Sequence, residues 1–142
     1  MWKQVVEMSF LQRGVIELAL LAFVIGVCVG CTVTRDEIVG GYQLQYEFGT
    51  ERLLLSADGT YEQAFERSGA SKELNKGRWE LRVNGDQTVV LHNPMLVADP
   101  FGKARPAPLR ESGVALLKVK KWLGTVSLIL NESQGLRFEK RA

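Results

Sequence analysis

The stretch that most restricts the fold is Arg52 to Glu66, in which two apolar, β-prone runs flank a reversal built on Asp58 and Gly59. Asp tolerates a left-handed backbone and caps its own turn, and Gly takes a positive φ at no steric cost, so Ser-Ala-Asp-Gly reverses the chain. A hairpin there puts Leu53, Leu55, Tyr61 and Phe65 on one face and turns Glu62 and Glu66 to water. Beyond residue 33 the same alternation of short strand and turn recurs, with no helical periodicity.

In chain order, Tyr42, Leu44, Tyr46 and Phe48 alternate with polar residues over Gly41 to Phe48, which predicts a strand with one buried face. Ser68 to Lys76 reads as a polar connection. Gly77 to Val83 restores strict alternation, with Trp79, Leu81 and Val83 inward, and Asn84-Gly85-Asp86 turns the chain into Thr88 to His92. Asn93 to Glu111 holds all four prolines together with Met95, Leu96, Val97 and Phe101. Proline cannot donate to a ladder, so this segment reads as a long loop or an edge segment, and its apolar residues argue for a role. Val114 to Trp122, a turn at Leu123 and Gly124, Thr125 to Leu130, and a last strand carrying Leu136, Phe138 and Lys140 on one side complete the count. About eight strands in simple succession predict an all-β fold, a meander closed into a small antiparallel up-and-down barrel or a sandwich; closure is the easier way to remove open edges.

Ahead of the barrel, Leu18 to Val33 is an almost unbroken apolar run with Lys3 and Arg13 before it. It is short for a span and suits the apolar core of a secretory signal helix. Its end, Cys28-Val29-Gly30-Cys31, resembles a bacterial lipobox, with Cys28 where Leu is usual. That resemblance implies cleavage before Cys31 and acylation of its thiol, as in palmitate-bearing lipoproteins. It also implies a protein tethered to the envelope and, with Thr32 rather than Asp after the cysteine, an outer-membrane protein facing the periplasm. The alternatives are an uncleaved signal anchor and a Cys-x-x-Cys redox pair. Glu17 dilutes the positive charge before the apolar run, and a start at Met8 would give a more usual signal; a precursor peptide from before Met8 would dismiss that start. The resulting division is residues 1–30 signal peptide, 31–37 lipidated N-terminus and short tether, and 38–142 barrel.

Composition agrees with a single globular core, at 46% apolar and 24% charged residues. The net charge is +2 with both signs scattered, and it stays +2 after loss of Lys3, Arg13, Glu7 and Glu17 with the leader, so nothing points to nucleic acid. With both cysteines in the leader region, the body has no disulfide framework or thiol metal site, and no cofactor or metal is expected.

Gly40-Gly41-Tyr42 is similar to the Gly-x-Trp of lipocalins, and the Leu-Ser-Ala-Asp-Gly-Thr-Tyr hairpin and Gly77-Arg78-Trp79 resemble later repeats of lipocalin-like domains in small bacterial lipoproteins. The likeness covers about residues 38 to 140. It implies a barrel closed at one end, with Arg137 covering Tyr42 by a cation and ring contact.

Candidate sites are few. His92 is the only histidine and reads as structural, Asp58 belongs to its turn, and Lys118, Lys120 and Lys121 beside Trp122 read as a solvated strand face or, alternatively, a membrane-facing patch. Tyr42, Tyr46, Phe48, Tyr61, Phe65 and Trp79 either line a ligand cavity or fill the barrel. The expectation is a lipid-anchored envelope protein, not an enzyme, that binds a small apolar or amphipathic ligand at a barrel mouth bordered by Asn93 to Glu111. The alternative is a structural or interaction module that docks an envelope protein through Met95, Leu96, Val97 and Phe101.

Overall fold

A computed structural model describes residues 32–110 and 112–141; the leader, its signal helix and Cys31 lie outside the described residues, as do Glu111 and Ala142. The alternating segments form β1 Gly40–Tyr46, β2 Gly49–Leu55, β3 Thr60–Arg67, β4 Lys72–Asn84, β5 Asp86–His92, β6 Met95–Ala98, β7 Ala104–Arg110, β8 Val114–Trp122, β9 Thr125–Asn131 and β10 Leu136–Lys140. One helical turn, α1 Arg35–Ile38, precedes them. Eight strands close into an antiparallel barrel in the order β1-β10-β9-β8-β5-β4-β3-β2, while β6 and β7 pair only with each other. The barrel is therefore an up-and-down meander interrupted once, between β5 and β8.

The interruption decides between the two readings of Asn93 to Glu111, a long loop or an edge segment, in favour of edge strands. Two of its prolines, Pro106 and Pro108, lie within β7, which pairs with β6 through Leu96 opposite Leu109 and Ala98 opposite Ala104. Prolines two residues apart share one edge, and in a two-stranded ladder the outer edge of β7 needs no donor. A correction concerns residues 68–76: β4 begins at Lys72 and pairs with β3 from Glu66 opposite Lys72 onward. At the other end of β4, Val83 is 60% exposed rather than inward, because the strand outruns the core.

The core lies inside the barrel. Tyr42, Leu44, Leu53, Leu55, Tyr61, Phe65, Trp79 and Leu117 are all buried, so the parity of the first hairpin holds. One end is a floor built on the N-terminal residues. Thr34 caps α1, and Glu37 returns the capping box, accepting from the Thr34 N–H at 2.8 Å. Gln87 brackets Val33, accepting from its N–H at 2.7 Å and donating to its carbonyl at 2.6 Å. Val33 is thus buried and bonded to β5, while Thr34, Arg35 and Asp36 are exposed. The Trp79 indole donates to Ser56 O at 2.9 Å under the Arg35 guanidinium, 4.7 Å from the ring centroid. Arg137 does not cover Tyr42; it is exposed beside Glu139, and Lys140 supplies the cation, 5.8 Å from the Tyr42 centroid. The period-two parity of β10 explains this, since Lys140 shares the inward face of Phe138 and Arg137 takes the outward one.

Candidate functional site

The opposite end of the barrel is covered by the β6–β7 hairpin. Its entry is fastened by Tyr61, whose hydroxyl lies 2.9 Å from His92 O and 3.0 Å from Asn93 O. Gln63 then takes the place of a strand partner for Met95: its amide nitrogen donates to Met95 O at 2.8 Å and its amide oxygen accepts from Met95 N–H at 2.8 Å. Asn75 donates to both Gln63 Oε1 and Asn93 O. Farther out, Arg67 donates to Arg105 O and Asn131 to Pro100 O, tying the hairpin tip to the rim. The segment caps the mouth rather than bordering it.

Beneath the cap, Gln63 also donates to Glu51 Oε1 at 2.5 Å, and the Tyr46 hydroxyl donates to Glu51 Oε2 at 2.8 Å. Glu51 is 3% exposed. Burial pushes its carboxyl up to about 7, against the two hydrogen bonds, which favour the charged form. Burial, together with the Glu51 charge, holds the Tyr46 phenol well above its ordinary range. Glu51, Gln63 and Tyr46 form part of the wall of a cavity of about 210 Å³ between the cap and the barrel interior. The remaining wall is largely apolar, including Met95, Val97, Leu117, Leu130 and Phe138, with Asp99, Arg105 and Asn131 also present. Such a space accepts a compact apolar body and offers it a hydrogen-bonding group at one side.

Of the six aromatic residues expected to line or fill the barrel, Tyr46 lines the cavity and Tyr42, Tyr61, Phe65 and Trp79 are core. Phe48, half-buried, stacks on Tyr46 at 4.9 Å and meets Phe65 edge-on at 6.0 Å. Met95 and Val97 point into the barrel at 1% and 2% exposure, Leu96 is half-buried, and Phe101 at the cap tip is 71% exposed. His92 is half-exposed, with Nε2 3.6 Å from Glu80 Oε1. Asp58 accepts from the Thr60 N–H and hydroxyl, the second of these being the main reason its carboxyl lies below the usual range. Lys118, Lys120 and Lys121 pair with Asp86, Glu132 and Glu37. Among the described residues, no group of three or more His, Cys, Asp or Glu side chains is placed to hold a metal ion.

Sequence reasoning passed over Glu51 and Gln63. The signal was present, since Glu51 shares the parity of Leu53 and Leu55, and Gln63 sits between Tyr61 and Phe65. No protein-family model, no curated protein and no solved structure matches the chain.

Proposed function

We propose that the protein is a lipid-anchored bacterial envelope protein, attached through Cys31 at the periplasmic face of the outer membrane. Its lipocalin-like barrel holds a compact apolar or amphipathic molecule under the β6–β7 cap. The observation that carries this reading is the apolar cavity of about 210 Å³ with Glu51, Gln63 and Tyr46 in its wall. It is smaller than the roughly 300–1,000 Å³ of sites for drug-sized ligands, which restricts the occupant to a small molecule or the end of an acyl chain.

The test is extraction and mass spectrometry of small molecules carried by the protein purified from membranes, in parallel with Ala115→Phe. Ala115 lines the cavity from β8, and a ring there takes up the space from a residue that is no partner in the Glu51 hydrogen bonds. A compound present in the wild type and lost in the variant supports the reading. A wild type that carries no compound and shows no thermal shift with small apolar amines, alcohols or acids ends it.

A second reading rests on Phe101 and Leu109, exposed on the cap at 71% and 40%, which offer a protein partner an apolar contact. Phe101→Ser should then abolish an envelope crosslink while leaving the thermal midpoint unchanged.

A further inference from the structure

Trp122 and Leu123 are the most exposed large apolar side chains among the described residues, at 78% and 88%. They lie at the β8–β9 turn, where Leu123 and Gly124 both have positive φ, 48° and 81°. Asn-Gly suits such two-residue turns, because a bulky side chain in left-handed backbone is strained. Leucine here goes against the preference of its own turn and buries little against the described chain.

The surroundings indicate what covers it. Lys121, next to Trp122, pairs with Glu37 of α1 at 2.6 Å, and Gln87 brackets Val33, so the turn belongs to the floor where the chain enters the barrel. Cys31 precedes Val33 by two residues, which span at most about 7 Å of chain. With Cys31 acylated as proposed above, the acyl chains begin within that reach of Val33. Val83, 60% exposed and paired with Gln87 across β4 and β5, adds apolar surface at the same end. A surface groove of about 350 Å³ beside Gly124 and Thr125 is lined in part by Arg141, an exposed cation suited to anionic headgroups, by Lys140, which is engaged by Glu37 O, and by Glu37, which is engaged by Lys121. An exposed amphipathic indole is characteristic of a membrane interface. Lys118, Lys120 and Lys121 do not drive the contact, since each faces a carboxylate.

We infer that the Trp122–Leu123 turn seats in the headgroup region of the bilayer, as a second point of attachment that orients the barrel with its β6–β7 cap directed away from the lipid. The inference rests on the N-terminal membrane attachment proposed above.

The test uses the full chain recovered from bacterial membranes. Its intact mass is measured first, and it is then reconstituted in phosphatidylethanolamine and phosphatidylglycerol vesicles with brominated acyl chains. The difference in emission between wild type and Trp122→Phe isolates Trp122, since Trp79 and, in an uncut chain, Trp2 are common to both. Loss of that difference signal to brominated chains, with protection from aqueous iodide, is the expected result. Quenching by iodide alone places the turn in water, and protection from both quenchers assigns it to a protein partner or a second copy; either overturns the inference. Leu123→Asn should weaken the bromine quenching while leaving Tm unchanged or raised, because Asn is favoured at that φ; unchanged quenching counts against the inference. The mass decides lipidation separately: a chain with residues 1–30 still attached removes the Cys31 anchor, and the fluorescence then still decides the turn.

Discussion

A carboxyl group in an apolar wall favours whichever pH keeps it neutral, and Glu51 is such a group. Its ordinary value near 4.5 is raised to about 7 by burial. Below pH 4.5 both folded and unfolded chains hold the proton and nothing is lost. Between pH 4.5 and 7 the unfolded chain releases it first, so stability falls as pH rises, by about 3 kcal/mol over that window. Glu51→Gln keeps the contacts, because its carbonyl accepts from Gln63 and its amide donates to a Tyr46 hydroxyl that turns from donor to acceptor. The variant should match the wild type in urea at pH 4.5 and exceed it by about 2–3 kcal/mol at pH 8. A flat wild-type profile between those pH values would remove Glu51 as a strained acid. Gly77 is a second residue set by its neighbours. A Cβ there would meet the Tyr61 ring at 2.6 Å and His92 O at 2.6 Å, the groups that fasten the cap. Gly77→Ala should cost about 1–3 kcal/mol by overpacking, read as a lower urea midpoint.

The β6–β7 hairpin is held to the barrel largely by side chains, which is why one substitution should loosen it. Gln63→Ala leaves Met95 N–H and C=O without the partners that Gln63 supplies and removes a donor from Glu51. Stranding buried polar groups costs about 1–3 kcal/mol each, and local opening lets water recover part of it. Exchange of the Met95 amide should therefore rise strongly while amides of β2 and β9 stay protected; uniform acceleration would mean the cap and barrel open together. The elements legible in the sequence are mainly those whose faces differ: β1 to β3 and β8 to β10 carry their turns and alternation openly, while β5 shows its entry turn but buries Val89, Val90 and Leu91 in succession. The first half of β4 does not, because Lys72, Glu73 and Leu74 are all exposed and the strand is fixed by its ladder to β3, with no buried face to read. In β7, Pro106 and Pro108 leave a loop and an edge strand both open, because sequence alone does not show that the strand has one partner only. The Glu51 site was hidden differently. Its parity was visible, but a Glu at an inward position reads as an exception until Tyr46 and Gln63 are seen to receive it.

At the scale of the whole barrel, closure depends on the seam between the first and last strands. β1 pairs with β2 through seven residue pairs but with β10 through only two, Tyr42 opposite Lys140 and Gln43 opposite Glu139. These contacts join residues almost a hundred positions apart, so their loop-closure entropy is among the highest in the fold. Side chains reinforce the seam: the Tyr42 hydroxyl donates to Ile38 O at 2.6 Å, and Lys140 donates to Glu37 O while lying over the Tyr42 ring. Lys140 thus binds β10, β1 and α1 at one point. Removing it in Lys140→Ala should cost about 2 kcal/mol, from a charge-assisted hydrogen bond and a cation–ring contact. The loss should appear first as faster amide exchange in β10 and at Gly41 and Gln43, with β3, β4 and β5 unchanged, because those strands keep both neighbours when the seam parts. If instead β10 exchanges no faster than β4 in the variant, closure is carried by the barrel interior through Phe138 and Leu128, which are buried on the same side of the sheet.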